Sequence, residues 1–198
     1  MKTKEVSDLQ RQPEPRLFIA VSLPAGLKRM LADWCEKQSE TWAFGKWVNQ
    51  EDYHITLKFL GNCTPRQIRE ITEELRGLAA VASPFSLTLA GLGTFGRPAS
   101  PRILWAGVSG DLPALTSLEQ KIGNRLAPLG FPREERPYRP HVTLARKCQM
   151  HDFPAPELLQ AAWPERLTQT WIVRELILYE TKLGKQPMYH AMARFPFR

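Results

Sequence analysis

Apolar residues recur along the chain with two periods, which together predict alternating strands and helices. Apolar positions three or four residues apart predict three helices, and the second begins with a capping box formed by Thr64 and Gln67, with Pro65 between them. Short apolar or alternating segments predict strands. The predicted strands are 17–23, 54–60, 85–90, 103–108, 141–146, 171–179 and 188–197, and the predicted helices are 25–38, 65–78 and 112–127.

Three segments without a clear period are predicted to be mostly loop. Residues 41–50 lead into the second strand, and residues 91–96 contain three glycines that predict a turn-rich connection. Residues 150–163 are rich in proline, and we expect one helical turn near Glu157.

Two of the predicted strands carry the same polar pair. Residues 54–57 read His-Ile-Thr-Leu, and residues 141–144 read His-Val-Thr-Leu. Side chains alternate between the faces of a strand, so each histidine shares a face with its threonine while the apolar residues pack on the other. Strict alternation also places Lys58 on the face of the first histidine and Phe59 on the packing face.

The chain repeats the order strand, helix and His-x-Thr strand. The second set begins 86 residues after the first, at 103 instead of 17, and the second histidine follows the first by 87 residues, at 141 instead of 54. Such a repeat predicts two similar half-domains related by an approximate two-fold axis. The axis would bring the two His-x-Thr strands together, so that both polar faces line one groove. We therefore predict one domain over 17–198 made of two interleaved half-domains.

Composition restricts the class of protein. The chain has 198 residues, 43% hydrophobic and 24% charged, which is typical of a globular protein. No apolar run is long enough to span a membrane. Residues 1–16 are polar and lack the apolar core of a signal peptide, so we expect a flexible tail and a cytoplasmic protein. The net charge of +7 suits an anionic partner. The three cysteines do not form a disulfide or zinc pattern: Cys35, Cys63 and Cys148.

Two histidines and two threonines around one groove point to acid–base chemistry at phosphorus. Two imidazoles are too few for the usual metal sites, but a neutral one can take a proton from an attacking oxygen while a protonated one gives a proton to the departing oxygen. The hydroxyls of Thr56 and Thr143 can hold the oxygens of a tetrahedral anion. Neither motif contains a phosphate-binding glycine loop or a carboxylate set for magnesium. Chemistry without a metal needs an activated ester, such as a ribose 2',3'-cyclic phosphate.

The two motifs closely resemble the signature of the two-histidine (2H) phosphoesterase superfamily. Residues 16–24, together with Gly61 and Arg146, further resemble its bacterial and archaeal branch of RNA 2',3'-cyclic phosphodiesterases, first called 2'-5' RNA ligases. The resemblance runs from about residue 16 to the C-terminus. It implies an α+β fold of two pseudo-symmetric lobes around a central basic cleft, each lobe a small, mostly antiparallel sheet with helices on its outer face.

The resemblance also implies an activity and its partners. The expected reaction is metal-independent hydrolysis of RNA 2',3'-cyclic phosphate ends to 2'-phosphate ends, and the reverse reaction can join tRNA halves through a 2'-5' bond. No cofactor is expected. The expected partner is RNA with cyclic phosphate ends, and the protein is expected to be a monomer that binds no membrane.

The site residues follow from the same resemblance. It makes His54 the proton donor and His141 the proton acceptor, roles that the pseudo-symmetry alone does not distinguish. The substrate-binding residues are Thr56, Thr143 and Arg146. Arg146 lies five positions beyond His141, nominally on the opposite face, so it reaches the groove only if the strand ends or bulges there.

Several residues and two other functions stay open. Lys58 can meet RNA phosphate or remain solvated, and four aromatic residues can stack a terminal base or belong to the core: Phe18, Trp47, Trp105 and Tyr189. An arginine cluster at 133, 136 and 139 can form a rim for the RNA backbone, while His151 and His190 lack the motif. One alternative is a non-catalytic module that binds RNA ends. The other is a 2H phosphodiesterase for a small cyclic nucleotide or 2'-5' oligoadenylate.

Overall fold

Residues 14–198 are described by the computed structural model, and they form nine strands and four helices. In chain order these are β1 (Arg16–Ser22), α1 (Ala25–Ser39), β2 (Phe44–Trp47), β3 (His54–Asn62), α2 (Pro65–Ala79), β4 (Phe85–Arg97), β5 (Ser100–Gly110), α3 (Leu112–Leu126), β6 (His141–Cys148), α4 (Pro156–Ala162), β7 (Thr170–Val173), β8 (Glu175–Thr181) and β9 (Tyr189–Pro196). The predicted tail over 1–16 falls mostly on residues 1–13, which lie outside the described residues, whereas Arg16 begins β1.

All nine strands belong to one antiparallel sheet with the order β7-β4-β5-β6-β3-β1-β8-β9, and β2 pairs with β6. The two His-x-Thr strands, β3 and β6, meet at the centre, where Ile55 lies opposite Val142. One lobe extends from β3 through β1, β8 and β9, and the other extends from β6 through β5, β4 and β7. The α+β fold with two lobes and mostly antiparallel sheets is confirmed.

One face of the sheet carries the main core, and the helices pack there. The core cluster joins Leu31 of α1, Leu75 of α2 and Leu115 of α3 to Ile55 and Leu104 of the central strands, all of them fully buried. The other face of β1 and β8 carries a second, smaller cluster, Phe18, Ala20, Ile177 and Tyr179. We call this second face the groove face, since it is the face on which the motif histidines lie.

Local capping fixes where two helices begin. The Thr64 hydroxyl accepts the N–H of Gln67 at 3.2 Å, and the Gln67 side chain accepts the N–H of Thr64 at 3.0 Å, which is the predicted capping box. At α3, Asp111 accepts the N–H of Ala114 at 3.0 Å. Each cap satisfies backbone donors that the first helical turn leaves without a partner.

The two halves carry the same β-bulge at equivalent positions. Residues 56 and 58 of β3 pair with consecutive residues of β1, which leaves Leu57 as the extra residue. Residues 143 and 145 of β6 pair with consecutive residues of β5, which leaves Leu144 as the extra residue. A bulge reverses the alternation of faces beyond it. In both strands, the side chains that follow the bulge therefore lie on the face opposite to the one that strict alternation predicts.

The bulge in β3 contradicts two predictions made from strict alternation. Lys58 does not face the groove: it is 5% exposed, and its ammonium donates to the carbonyl of Pro132 at 2.6 Å. Phe59 does not pack in the main core: it is 64% exposed, and its ring lies 6.1 Å from that of Phe18 on the groove face. Lys58 is therefore a structural residue.

The single strand predicted over 171–179 is wrong, because the chain changes partner at Arg174. The segment before it, β7, pairs with β4, whereas the segment after it, β8, pairs with β1 and β9. The apolar pattern continues across the break, so it does not reveal that the two halves belong to different lobes.

Three predicted loops contain regular structure. Residues 44–47 form β2 and residues 156–162 form the short helix α4. The glycine-rich connection after residue 90 is instead the second half of β4, which runs to Arg97. A side chain at Gly93 would collide with the ring of Trp105 on the paired strand β5. This glycine therefore makes room for an aromatic ring beside the second motif.

Candidate active site

The register between β3 and β6 brings the two motifs together. Because Ile55 lies opposite Val142 in an antiparallel pair, Thr143 falls opposite His54 and Thr56 falls opposite His141. All four are half-buried on the groove face. The two histidines occupy a diagonal of this pair, and diagonal positions are about 7–8 Å apart in antiparallel sheets. This separation leaves room for one tetrahedral anion between the rings.

The same hydrogen bond orients both imidazoles. The Nδ1–H of His54 donates to the carbonyl of Asp52 at 2.7 Å, and the Nδ1–H of His141 donates to the carbonyl of Arg139 at 2.7 Å. In each case the carbonyl lies two residues before the histidine. This bond fixes the tautomer, so the Nε2 atom of each neutral ring is a proton acceptor. The hydroxyl of Thr56 lies 3.0 Å from Nε2 of His54 and donates to it.

The surroundings of both histidines favour the neutral imidazole when no anion is bound. Burial lowers the pKa of His54 to about 4, outweighing the Asp52 carbonyl, and the charges of Lys28 and Arg146 lower it further. Burial and the charge of Arg146 also lower the pKa of His141. A bound anion opposes both effects, since its negative charge stabilises an imidazolium.

Aromatic rings surround both histidines. The ring of His54 lies 4.8 Å from Phe18 and 5.1 Å from Tyr189. The ring of His141 lies 4.9 Å from Phe95 and 6.0 Å from Trp105. Of the four aromatic residues considered for base stacking, these contacts place Phe18, Trp105 and Tyr189 in the groove. Trp47 instead packs against Phe44 at the edge of the main core.

The bulge in β6 brings Arg146 to the groove, as the prediction for this residue required. Arg146 lines a small cavity together with His54, Thr143 and Tyr189, so residues from both lobes meet there. Burial raises the pKa of the Tyr189 hydroxyl, and the nearby positive charge of Arg146 opposes this shift. The guanidinium of Arg146 and the hydroxyls of Thr143 and Tyr189 thus line the space in front of the histidine of the first motif.

Of the residues that the structure describes, no group of three His, Cys, Asp or Glu side chains has the arrangement of a metal site. None of the described helices is long and apolar enough to cross a membrane.

A family model described as the 2'-5' RNA ligase superfamily matches residues 30–185. The chain belongs to this superfamily. The resemblance to 2H phosphoesterases that the motifs indicated is thereby confirmed.

Two relatives with assigned functions are both named RNA 2',3'-cyclic phosphodiesterase. The protein from Bacillus subtilis is 31% identical over 182 residues, which is 91% of this chain and 96% of the relative. The protein from Geobacillus stearothermophilus is 41% identical over 179 residues, which is 90% of this chain but only 56% of that longer relative.

Two solved structures share the fold. A protein from Thermus thermophilus superposes with a TM-score of 0.74 at 25% identity. The superposition covers 92% of this chain and 98% of the Thermus chain. Escherichia coli LigT in complex with 3'-AMP superposes with a TM-score of 0.73 at 24% identity and covers 93% of this chain and 98% of its own.

The arginine cluster before the second motif lies beside the site. Arg133, Arg136 and Arg139 are exposed, and the carbonyl of Arg139 orients His141. The hydroxyl of Tyr138 donates to the carbonyl of Thr56 at 3.1 Å and so ties this segment to β3. The other two histidines, at 151 and 190, are exposed.

Two polar residues at the site were not indicated by the sequence. Lys46 lies in β2, opposite Arg146, and lines the same small cavity. A four-residue strand is too short for its period to be recognised, so this lysine was hidden in a predicted loop. Asp52 is 5% exposed, and its carboxylate accepts the N–H groups of Met188 at 3.0 Å and Tyr189 at 2.9 Å. Its carbonyl orients His54, so one residue joins β9 to the first motif.

The Asp52→Asn substitution should destabilise the protein and loosen Tyr189. An amide offers one acceptor oxygen where the carboxylate offers two, so a buried N–H loses its partner at a cost of about 1–3 kcal/mol. Urea unfolding measures this cost, with Asp33→Asn on the exposed face of α1 as the matched control, for which we expect a change within about 0.5 kcal/mol. Equal stability of the two variants would show that the Asp52 carboxylate does not hold β9.

Proposed function

We propose that the protein hydrolyses RNA 2',3'-cyclic phosphate ends to 2'-phosphate ends by metal-independent acid–base catalysis. The observation that carries the proposal is the pairing of the two motifs. In both motifs Nδ1 is bonded to a backbone carbonyl, and neither Nε2 atom is bonded to the backbone of the described residues. The names of the Bacillus and Geobacillus relatives support the choice of substrate.

The reaction divides between the two histidines. Nε2 of His141 accepts a proton from water, and the water oxygen attacks phosphorus. The bond from phosphorus to the 3'-oxygen breaks, and Nε2–H of His54 gives its proton to that oxygen. The product carries a 2'-phosphate and a free 3'-hydroxyl. An in-line displacement places the attacking and leaving oxygens on opposite sides of phosphorus, and two rings on a diagonal suit that geometry.

His54 can act as donor only when it is protonated, which requires a rise in its pKa from about 4. The phosphodiester supplies the negative charge for this rise as it enters the groove. Thr56 hydrogen-bonds Nε2 of His54 and can move to a phosphate oxygen. Thr143 and Arg146 bind the remaining oxygens and stabilise the charge that develops on them in the transition state.

The proposal also covers the oligomeric state, the cellular location and the RNA partners of the protein. The protein acts as a monomer in the cytoplasm on RNA with cyclic phosphate ends. The same two proton transfers join RNA ends, including tRNA halves, through a 2'-5' bond when a ribose 5'-hydroxyl replaces water. His141 accepts the proton of that hydroxyl as its oxygen attacks phosphorus, the bond from phosphorus to the 3'-oxygen breaks, and His54 protonates the 3'-oxygen. Residues 17–198, together with Arg16 at the start of β1, form the catalytic domain.

Product analysis tests the proposal. An oligonucleotide with a 2',3'-cyclic phosphate end is incubated with the protein in the presence of a chelator, and the position of the product phosphate is determined. We expect a 2'-phosphate and full activity with the chelator. A 3'-phosphate product would reverse the assignment of the leaving oxygen. Binding without turnover would favour the non-catalytic module, and turnover restricted to mononucleotides would favour the small cyclic nucleotide.

A further inference from the structure

A cavity of about 440 Å³ opens at the end of β1, the strand that pairs with the His54 strand, and it has no part in the proton transfers. Ser22 forms part of its wall and lies directly opposite His54 in the β1–β3 ladder. Arg194 forms another part, and its ladder partner Ile177 belongs to the groove-face cluster. Directly opposite residues point to the same face, so this part of the wall adjoins the groove, while residues of α1 and β7 form much of the rest. We call the cavity the basic chamber; its charged lining residues are Lys28, Glu51, Arg174, Glu175 and Arg194.

Lys28 places a buried ammonium in the basic chamber. The residue is 7% exposed, and its Nζ donates to the carbonyl of Glu51 at 2.7 Å. An ammonium has three donors, and this bond uses one of them. Burial lowers the pKa of Lys28, outweighing the nearby charges of Glu51 and Asp52. A buried cation of this kind is stabilised by an anion that enters the cavity.

The remaining charges also favour an anion. Arg174 is exposed at the corner between β7 and β8, and Arg194 forms an ion pair with Glu175. The three cations outnumber the two carboxylates. In addition, α1 begins at Ala25 on the chamber wall, and no described side chain caps its first N–H groups. The positive end of the helix dipole therefore adds to the charge of the side chains.

We infer that the basic chamber binds the 5'-phosphodiester of the same nucleotide that carries the cyclic phosphate. This inference rests on the proposed function, in which the leaving 3'-oxygen lies on the side of His54. The ribose continues from that oxygen through C4' and C5' to the 5'-phosphate, so the next phosphate of the strand lies beyond His54. The chamber lies on that side, and its volume is in the range of about 300–1,000 Å³ found for ligand sites.

The consequence is a preference for RNA ends over nucleosides. An RNA end has a phosphate at the 5' side of its last ribose, whereas a nucleoside 2',3'-cyclic phosphate has none. The chamber thus distinguishes the RNA substrate from the small cyclic nucleotide of the alternative function. It recognises charge rather than sequence, since its charged groups are placed for a phosphate.

Binding of two product analogues tests the chamber without requiring turnover. Adenosine 2'-phosphate and adenosine 2',5'-bisphosphate differ only in the 5'-phosphate, and calorimetry gives both dissociation constants. For the native protein we expect the bisphosphate to bind about tenfold more tightly, as charge-assisted hydrogen bonds to phosphate predict. Arg194→Gln should reduce this ratio to about two, while Arg69→Gln on the exposed face of α2 should leave it unchanged.

The ion pair between Arg194 and Glu175 provides a second test, in which we expect the affinity ratio to change in the opposite direction. Glu175→Gln removes a carboxylate from the chamber and frees Arg194, so we expect the ratio to rise by about threefold. If the ion pair only stabilised the fold, Arg194→Gln and Glu175→Gln would change the affinity ratio in the same direction. Equal binding of the two analogues by the native protein, or a ratio that Arg194→Gln does not reduce, would overturn the inference. Absence of turnover would overturn the proposed function, and the affinity ratio would still decide on the chamber.

Discussion

Replacing either motif histidine by alanine should lower kcat/KM on a 2',3'-cyclic phosphate by about 10³-fold or more, since general acid–base catalysis by one side chain contributes about 10²–10⁴-fold. His54→Ala removes the donor to the leaving oxygen, and His141→Ala removes the acceptor for the water proton. The remaining histidine cannot serve both roles, because the two act on opposite sides of phosphorus. Steady-state rates on a cyclic phosphate substrate measure the loss.

The double variant and a third histidine provide controls. The rate losses caused by replacing two residues that act in the same reaction step do not add up. The double variant should therefore be only slightly slower than the slower single variant. His151→Ala alters an exposed histidine outside the motifs and should retain normal activity. A single variant at position 54 or 141 with more than about a tenth of the native rate would be incompatible with its proposed role.

The second large effect is expected at Arg146, where glutamine should lower kcat/KM by about 10²-fold, the usual effect of removing a donor to a developing oxyanion. The guanidinium lines the cavity beside His54 and Thr143, so its charge is placed for a phosphate oxygen. The same substitution should raise the pKa of both histidines, because the charge of Arg146 lowers both. The acidic limb of the pH–rate profile should therefore move to higher pH.

Arg69→Gln again serves as the matched control for the loss of one positive charge. If this variant and Arg146→Gln are slowed equally, the effect arises from the net charge of the protein rather than from a contact in the groove. If Arg146→Gln is slowed but its pH profile does not move, Arg146 binds substrate from a position too distant to influence the imidazoles.

The sequence alone identified what depends on residues close together in the chain. Alternation placed His54 with Thr56 and His141 with Thr143 on the groove face, and the capping box of α2 is as predicted. The repeated motif also predicted that equivalent strands meet, and β3 does pair with β6. The first two outcomes follow from a short local rule, the period of a strand or the spacing of a cap, and the third follows from the internal repeat.

The features that were missed depend on partners distant in sequence. The bulge at Leu57 is defined by the register with β1, so alternation within β3 put Lys58 and Phe59 on the wrong faces. The break at Arg174 is defined by pairing with two different lobes. Asp52 holds backbone groups 136 and 137 residues away.

The bulge also explains why Arg146 reaches the site. Phe59 and Arg146 are equivalent positions in the two repeats, since both follow their motif histidine by five residues and both lie beyond the same bulge. One repeat thus presents an exposed aromatic ring to the groove, and the other presents a guanidinium. The scaffold is nearly symmetric, but the groups that it presents to a substrate are not, which suits a reaction with distinct donor and acceptor.

The central claim is that one phosphate lies between the two imidazoles, and NMR titration of both rings tests it most directly. In the free protein, the His54 ring should titrate with a pKa of about 4, and the pKa of His141 should also lie below the usual value for histidine. With adenosine 2'-phosphate bound, both values should rise, because one anion stabilises both imidazolium ions. A rise in only one ring, or in neither, would contradict the account.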